Sequence, residues 1–342
     1  MSKSTPQPGA LSVLLGKLCF TPAGAAGVVL LALLPLIPPF NQEYLVRWLV
    51  QAALLAALAV AFDFTSGYVS IVNFGFCAIM GLGAYTSALI VIKTGISPWL
   101  TIWVGACTAA VMGFFIGLIT LRLRGIFAAC LAWFLGLALM GLATKMIWLT
   151  RGPLGLRVPR LFDTASNIPF YYVILVMMVV TYLITRLLVG TKMGLAFKAI
   201  GQNMEAARTS GINPMFYRII NFTISCALAG WLGGFYAHYY GILTPDMMHT
   251  AKTVEVLAIA YIGGRGSLWG GAAVAFPFML AMELVRSGLS NLPGLNLVIY
   301  GLMLMLIMIY YPGGFAQFYN TYIGRPKKHL IRKLSGGAAD NA

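Results

Sequence analysis

Charge is what this sequence has least of. Only 9% of its 342 residues are Asp, Glu, Lys or Arg, and 8 are acidic, where soluble domains carry roughly 25% charged residues. Apolar residues make up 60%, more than a fold surrounded by water can hide. Histidine is also scarce: His238, His249 and His329 form neither an HExxH pair nor any ligand spacing, so no metal site is expected. The five cysteines, Cys19, Cys77, Cys107, Cys130 and Cys226, lie in or beside apolar stretches without a CxxC. That excludes a disulfide framework and a thiolate metal centre. A phosphate-cradling GxxxxGK[ST] loop is missing too, since Gly190-Thr191-Lys192 lacks the upstream glycine and the following hydroxyl. The chain is therefore not expected to hydrolyse ATP or to be an enzyme. Strand-like alternation is absent, which excludes an outer-membrane barrel.

What is there is a succession of apolar runs, each near the about 20 residues that cross a bilayer as a helix. The fold class read from them is all-α: a polytopic helical membrane protein of about ten transmembrane segments, some short or broken. The runs are 23–40, 44–62, 74–92, 98–119, 126–148, 169–188, 219–240, 253–264, 270–288 and 295–311. They divide the chain into a cytoplasmic segment 1–22, a transmembrane domain 23–312 and a basic cytoplasmic tail 313–342. The eighth run is too short to cross unaided and is flanked by Gly263, Gly264 and Gly266, as expected of a broken helix.

The formal net charge is +15, yet the basic residues cap apolar runs and form no interleaved basic and aromatic face. Nucleic acid is thus not an expected partner, and the lipid bilayer is. With both termini in the cytoplasm, Arg47, Lys93, Lys145, Arg151, Arg157, Arg160, Lys252 and Arg286 fall outside, and the other 15 of the 23 basic residues fall inside. That bias follows the positive-inside rule.

Two loops exceed what a connector needs. The outer one, 150–168, holds Gly152, Pro153, Gly155 and Pro159, and reads equally as a structured cap or an irregular surface loop. The inner one, 190–218, contains a stretch of helix formers at 193–200. A short helix follows, with Asn203 as its N-cap and Gly211 as its stop. Within the spans, Lys252 with Glu255 and Glu283 with Arg286 sit at helical spacing, and read as mutually compensated interfacial charges. No buried chain of carboxylates suggests a proton relay, which weighs against a proton- or sodium-coupled secondary transporter. The polar break Asp63 to Gly75, with Ser70, Asn73 and Gly75 and then Gly81, is read either as part of a substrate path or as a cytoplasmic turn. Gly264, Gly266 and Ser267 form a second break, read as a cytoplasmic-side gate or turn.

The run Glu205-Ala206-Ala207-x-x-x-Gly211 resembles the EAA-x3-G signature of coupling helices in binding-protein-dependent ABC permeases. Blocks around it resemble the branched-chain amino acid permease family in that family's order: Ser66-Gly67-Tyr68-Val69-Ser70, Thr150-Arg151-Gly152-Pro153-Leu154-Gly155-Leu156, Ala229-Gly230-Trp231-Leu232-Gly233-Gly234 and Gly263-Gly264-Arg265-Gly266-Ser267. The likeness spans about 45–312 and is nearest to the LivM-type branch. It departs from the pattern at Val72-Asn73 and at Arg265.

The resemblance implies an importer of branched-chain or related small amino acids in the bacterial inner membrane. Its implied partners are a homologous LivH-type permease, two ABC ATPase subunits that bind ATP and Mg, and a soluble periplasmic or extracellular binding protein. It implies ATPase coupling through Glu205, Ala206, Ala207 and Gly211. Related permeases carry urea or short amides, so the cargo stays open at this point.

Overall fold

A backbone inside a bilayer has no water to bond, so its N–H and C=O groups must pair within each segment, which favours helices. The computed structural model describes residues 22–36, 42–120, 123, 126–164, 166–288, 298, 301–302, 305–306, 309 and 313–318. The N-terminal segment, Arg122 and Arg124, the tenth expected span and most of the tail lie wholly or largely outside these residues.

In chain order the helices are α1 Pro22–Leu33, α2 Glu43–Ser66, α3 Phe76–Thr94, α4 Pro98–Thr120, α5 Ile126–Lys145 and α6 Ile147–Thr150. They continue as α7 Ile168–Gly190, α8 Lys192–Gln202, α9 Met204–Thr209, α10 Pro214–Tyr240, α11 Thr250–Gly263, α12 Trp269–Gly288 and α13 Gly314–Phe318. Among the described residues six are long and apolar enough to cross a membrane: α2, α3, α4, α5, α7 and α10. The protein is a polytopic helical membrane protein. Helix α1, of 12 residues, reaches about 18 Å and falls short of the roughly 30 Å hydrocarbon core.

Helices α2 and α10 are the buried axis. From Ala52 to Ser66 every residue of α2 is buried, because its Ala-rich sequence lets α7, α10, α11 and α12 all approach it. Helices α3, α4 and α10 meet backbone to backbone. A Cβ on Gly83 would lie 2.5 Å from the Gly230 Cα, and one on Gly105 would lie 2.5 Å from the Gly83 carbonyl oxygen. Without a hydrophobic drive between helices in lipid, such close van der Waals contact carries the association. Large apolar side chains on α4 and α5, including Trp103, Phe115, Phe127 and Phe134, are exposed and suit a lipid surface.

The loop that follows α6 is structured over 151–164. Its 3-10 turn Gly152–Leu154 leads to strand β1 Leu156–Arg157, which pairs antiparallel with β2 Ile242–Leu243 beyond α10. His238, fully buried, ties this cap down: its Nδ1 lies 2.8 Å from the Pro159 carbonyl oxygen and its Nε2 3.0 Å from Ser87 Oγ.

Two segments, 67–75 and 242–249, re-enter the bundle from opposite ends. After α2 the chain turns back at 67–75, and α3 begins beside the middle of α5, with Gly75 packed against Ala132 and Gly136. After α10 the chain re-enters through the 3-10 turn Pro245–Met248, and α11 begins where the Trp133 indole N–H donates to Thr250 Oγ1 at 2.9 Å. Trp133 stands seven residues into α5, about 10 Å from that helix's start. The two interior helix starts are neighbours, since the Cys77 N–H donates to Thr253 Oγ1 at 3.2 Å.

Candidate functional site

The inner loop is the most structured feature at its end of the bundle. Asn203 breaks α8 from α9: its backbone is extended and its side-chain oxygen accepts from the N–H groups of Glu205 (3.0 Å) and Ala206 (3.1 Å). That is the capping expected of an Asn preceding Glu-Ala-Ala. The stop is Gly211, whose φ of 81° suits a residue without a Cβ. Glu205 and Ala206 face outward, whereas Ala207 is buried. Ala207 belongs to an inner cluster with Phe64, Tyr68, Phe197, Ile200, Phe222 and Leu268.

Through this cluster the α8–α9 pair grips the first break. Phe197 of α8 meets Phe64 of α2 edge to face, centroids 5.6 Å apart, and the Lys198 ammonium lies 5.8 Å from the centre of the Tyr68 ring. Ser70 Oγ donates to the Gly201 carbonyl at 3.0 Å, and a Cβ on Gly201 would collide with the Tyr68 carbonyl oxygen. Ser70 holds φ at 59°, uncommon for a residue with a side chain. The α8–α9 pair is therefore in direct contact with Tyr68 and Ser70 of the first break.

The second break is clasped to the first. Asp63, near the end of α2 and 2% exposed, accepts from the Gly266 N–H at 2.8 Å and the Leu268 N–H at 3.0 Å. A buried carboxylate needs such donors. Arg265 Nε donates to the Ser66 carbonyl at 3.0 Å, which places a cation at the C-terminal end of α2, where the helix dipole favours one. The departure from the family pattern at Arg265 thus makes a contact of its own. Gly264 and Gly266 hold φ at 106° and 77°, and the Ser267 hydroxyl accepts the Gly270 N–H at 3.2 Å, starting α12.

The four residues read as a path do not converge on one cavity. Ser70 is engaged with Gly201. Asn73 is buried, accepts from the Gly75 N–H at 3.0 Å as the turn into α3, and directs its amide towards Cys226 Sγ at 3.9 Å. Gly75 admits α5, and Gly81 admits the Met248 side chain. A cavity of about 90 Å3, open at its mouth, does exist, lined by residues of α2, α3, α10 and α11. Two of them are Lys252 and Glu255, whose Nζ and Oε2 are 3.0 Å apart. Composition pointed at that pair as charges within a span; placing it in a cavity required the re-entry of 242–249. For the other span pair, Glu283 accepts from Tyr44 OH at 2.5 Å, and the Arg286 side chain lies outside the described residues. Among the described residues no three His, Cys, Asp or Glu side chains gather as metal ligands.

Comparison with known proteins adds what geometry alone does not. Residues 44–308 match the family model described as branched-chain amino acid transport system / permease component. The chain is 27% identical to the high-affinity branched-chain amino acid transport system permease protein LivM of Escherichia coli K12, over 82% of this chain and 70% of that protein. It is 23% identical to the corresponding LivH of Salmonella typhimurium, over 81% of this chain and 93% of that one. A nucleoside ABC transporter permease protein, NupC of Lactococcus lactis, is 29% identical over 49% of this chain and 58% of its own length. No solved structure matches the chain.

Proposed function

This chain belongs to the branched-chain amino acid transport permease family, and from that membership we propose that it is the membrane-spanning subunit of a binding-protein-dependent ABC importer. Its cargo in this reading is branched-chain or related small amino acids, moved inward across the bacterial inner membrane. Two ATPase subunits binding ATP and Mg drive it, a homologous LivH-type permease completes the pathway, and a soluble binding protein delivers the substrate. The full topology has ten crossings with both ends cytoplasmic.

One observation carries the reading: the α8–α9 pair presents Glu205 and Ala206 outward while its buried face grips the first break through Ser70, Lys198 and Phe197. An ATPase seated on the outward face would move the break, and the Asp63 clasp would carry that movement to the second break and α12. Helices broken inside the bundle are the usual surroundings of a transported substrate. Glu205 contributes a charge-assisted contact to a basic group on the ATPase, and Gly211 fixes the turn behind it.

The test is uptake and ATPase activity in liposomes holding the complete assembly, with a panel of branched-chain amino acids, other amino acids, urea and nucleosides. Import of branched-chain amino acids that requires the ATPase subunits is expected. The nucleoside permease among the relatives makes a nucleoside the specific alternative cargo. Glu205→Lys should leave insertion intact and abolish most uptake by weakening ATPase docking. Normal uptake by that variant, or uptake without any ATPase subunit, overturns the proposal.

A further inference from the structure

The cavity between α2, α3, α10 and α11 combines two kinds of wall. Leu54, Leu55 and Leu58 of α2, Met80 of α3 and Val256 of α11 make an aliphatic side, and all five are buried. The rest of the lining includes Lys252, Glu255, Tyr236, Tyr240 and, on α2, Gln51. Helical spacing explains why one helix can supply both kinds: residues 51, 54, 55 and 58 share one face of α2.

The charged pair lies within the thickness of the bundle. Thr250, half a turn before Lys252, is bonded to Trp133 in the body of α5, and Thr253 to the interior start of α3. A charge at that depth is costly in lipid and belongs where it faces a polar path or a partner group. The Lys252 side chain is nevertheless 52% exposed, and that of Glu255 22%. Among the described residues the 3.0 Å contact is the one hydrogen bond recorded for either charge. An ammonium with three donors and a carboxylate with about four acceptor sites keep most of their bonding capacity for something else. Two tyrosines at the same wall, with ring centres 4.4 Å apart, add hydroxyl groups.

A ligand matched to these walls has one positive group, one negative group and an aliphatic body. We infer that the cavity is a subsite for a zwitterionic aliphatic amino acid, with Lys252 taking the carboxylate, Glu255 the ammonium, and the Leu54–Leu58 face and Met80 the side chain. The inference rests on the reading of the chain as an importing permease and adds where the cargo pauses. Separating an ion pair costs little when each partner receives an opposite charge in exchange, so the pair keeps the site closed to neutral solutes and yields to a zwitterion.

The experiment uses the complete assembly with the five native cysteines replaced by alanine and Gln51→Cys at the cavity wall as a reporter. Labelling of that thiol by a small charged reagent is timed in the presence of leucine, of isocaproate, which lacks the ammonium, and of isoamylamine, which lacks the carboxylate. At a leucine concentration about ten times its dissociation constant, roughly a tenth of sites stay open and labelling should slow about tenfold. Neither analogue should protect, and Lys252→Gln should remove protection by leucine while the variant still co-purifies with its ATPase subunits. Equal protection by all three compounds would mean a merely apolar cleft and would overturn the inference. So would no protection in an assembly that imports leucine, and that outcome leaves the permease reading standing. An assembly whose wild type imports no amino acid would instead remove the reading beneath it.

Discussion

At the scale of single residues, Asp63 carries the most. Its two carboxylate oxygens each accept one backbone N–H from the loop after α11, at 2.8 and 3.0 Å, inside a site with almost no solvent. In Asp63→Asn one oxygen becomes an NH2 group facing an N–H donor, so one charge-assisted bond is lost, worth about 1.5–3 kcal/mol. The expected ranking in thermal stability of the purified chain, from most to least damaged, is Asp63→Ala, Asp63→Asn, Arg265→Leu, with uptake following the same order. Arg265 comes last because it is exposed and its bond to Ser66 competes with water. An Asp63→Asn protein as stable and active as its parent would remove the clasp from the mechanism. Asp63 was visible in the sequence as a charge at the end of an apolar run, but its partners lie 203 and 205 residues away. No local pattern announces them.

At the scale of elements, the α8–α9 pair was legible in outline. The Asn203 cap and the Gly211 stop follow from residue type and position, and both take the conformations that chemistry demands. Which face of α9 turns inward was not legible, because a helix of 6 residues is too short for a periodic apolar stripe to declare itself. Hence Ala206 and Ala207, alike in the sequence, separate into one exposed and one buried residue. Gly201 tests the joint between this pair and the first break. A Cβ there runs into the Tyr68 carbonyl, and overpacking of that kind costs about 1–3 kcal/mol. Gly201→Val should therefore keep the ATPase subunits bound and hydrolysing while uptake falls sharply, as measured on co-purified assemblies in liposomes. Full uptake by Gly201→Val would show that the two elements move independently.

At the scale of the molecule, the arrangement is a set of outer spans around α2 and α10, with two re-entrant breaks that bring the starts of α3 and α11 together. Orientation sets which break faces the cytoplasm. From the excess of Lys and Arg, the α8–α9 pair is expected inside and the β1–β2 cap outside. In intact cells a membrane-impermeant thiol reagent should label Arg157→Cys and leave Thr209→Cys unmodified until the membrane is opened. Both positions are exposed, so access is governed by sidedness. The reverse labelling pattern would invert the molecule and remove the basis for an inward-facing coupling pair.

Composition and spacing were enough to establish a helical membrane protein and to locate six of its expected spans, those of α2, α3, α4, α5, α7 and α10, to within about five residues. These are local properties: an apolar run long enough to cross a bilayer, a cap, a glycine stop. The cavity, the Asp63 clasp and the contact of Ser70 with Gly201 come from chain segments more than a hundred residues apart. Their meeting depends on how deeply 67–75 and 242–249 fold back into the bundle. Polar residues in a break look the same in sequence whether the break turns at the surface or re-enters. Packing of Gly75 on α5 and of Met248 on Gly81 decides between the two, and it turned a pair of charges expected at an interface into part of a cavity lining.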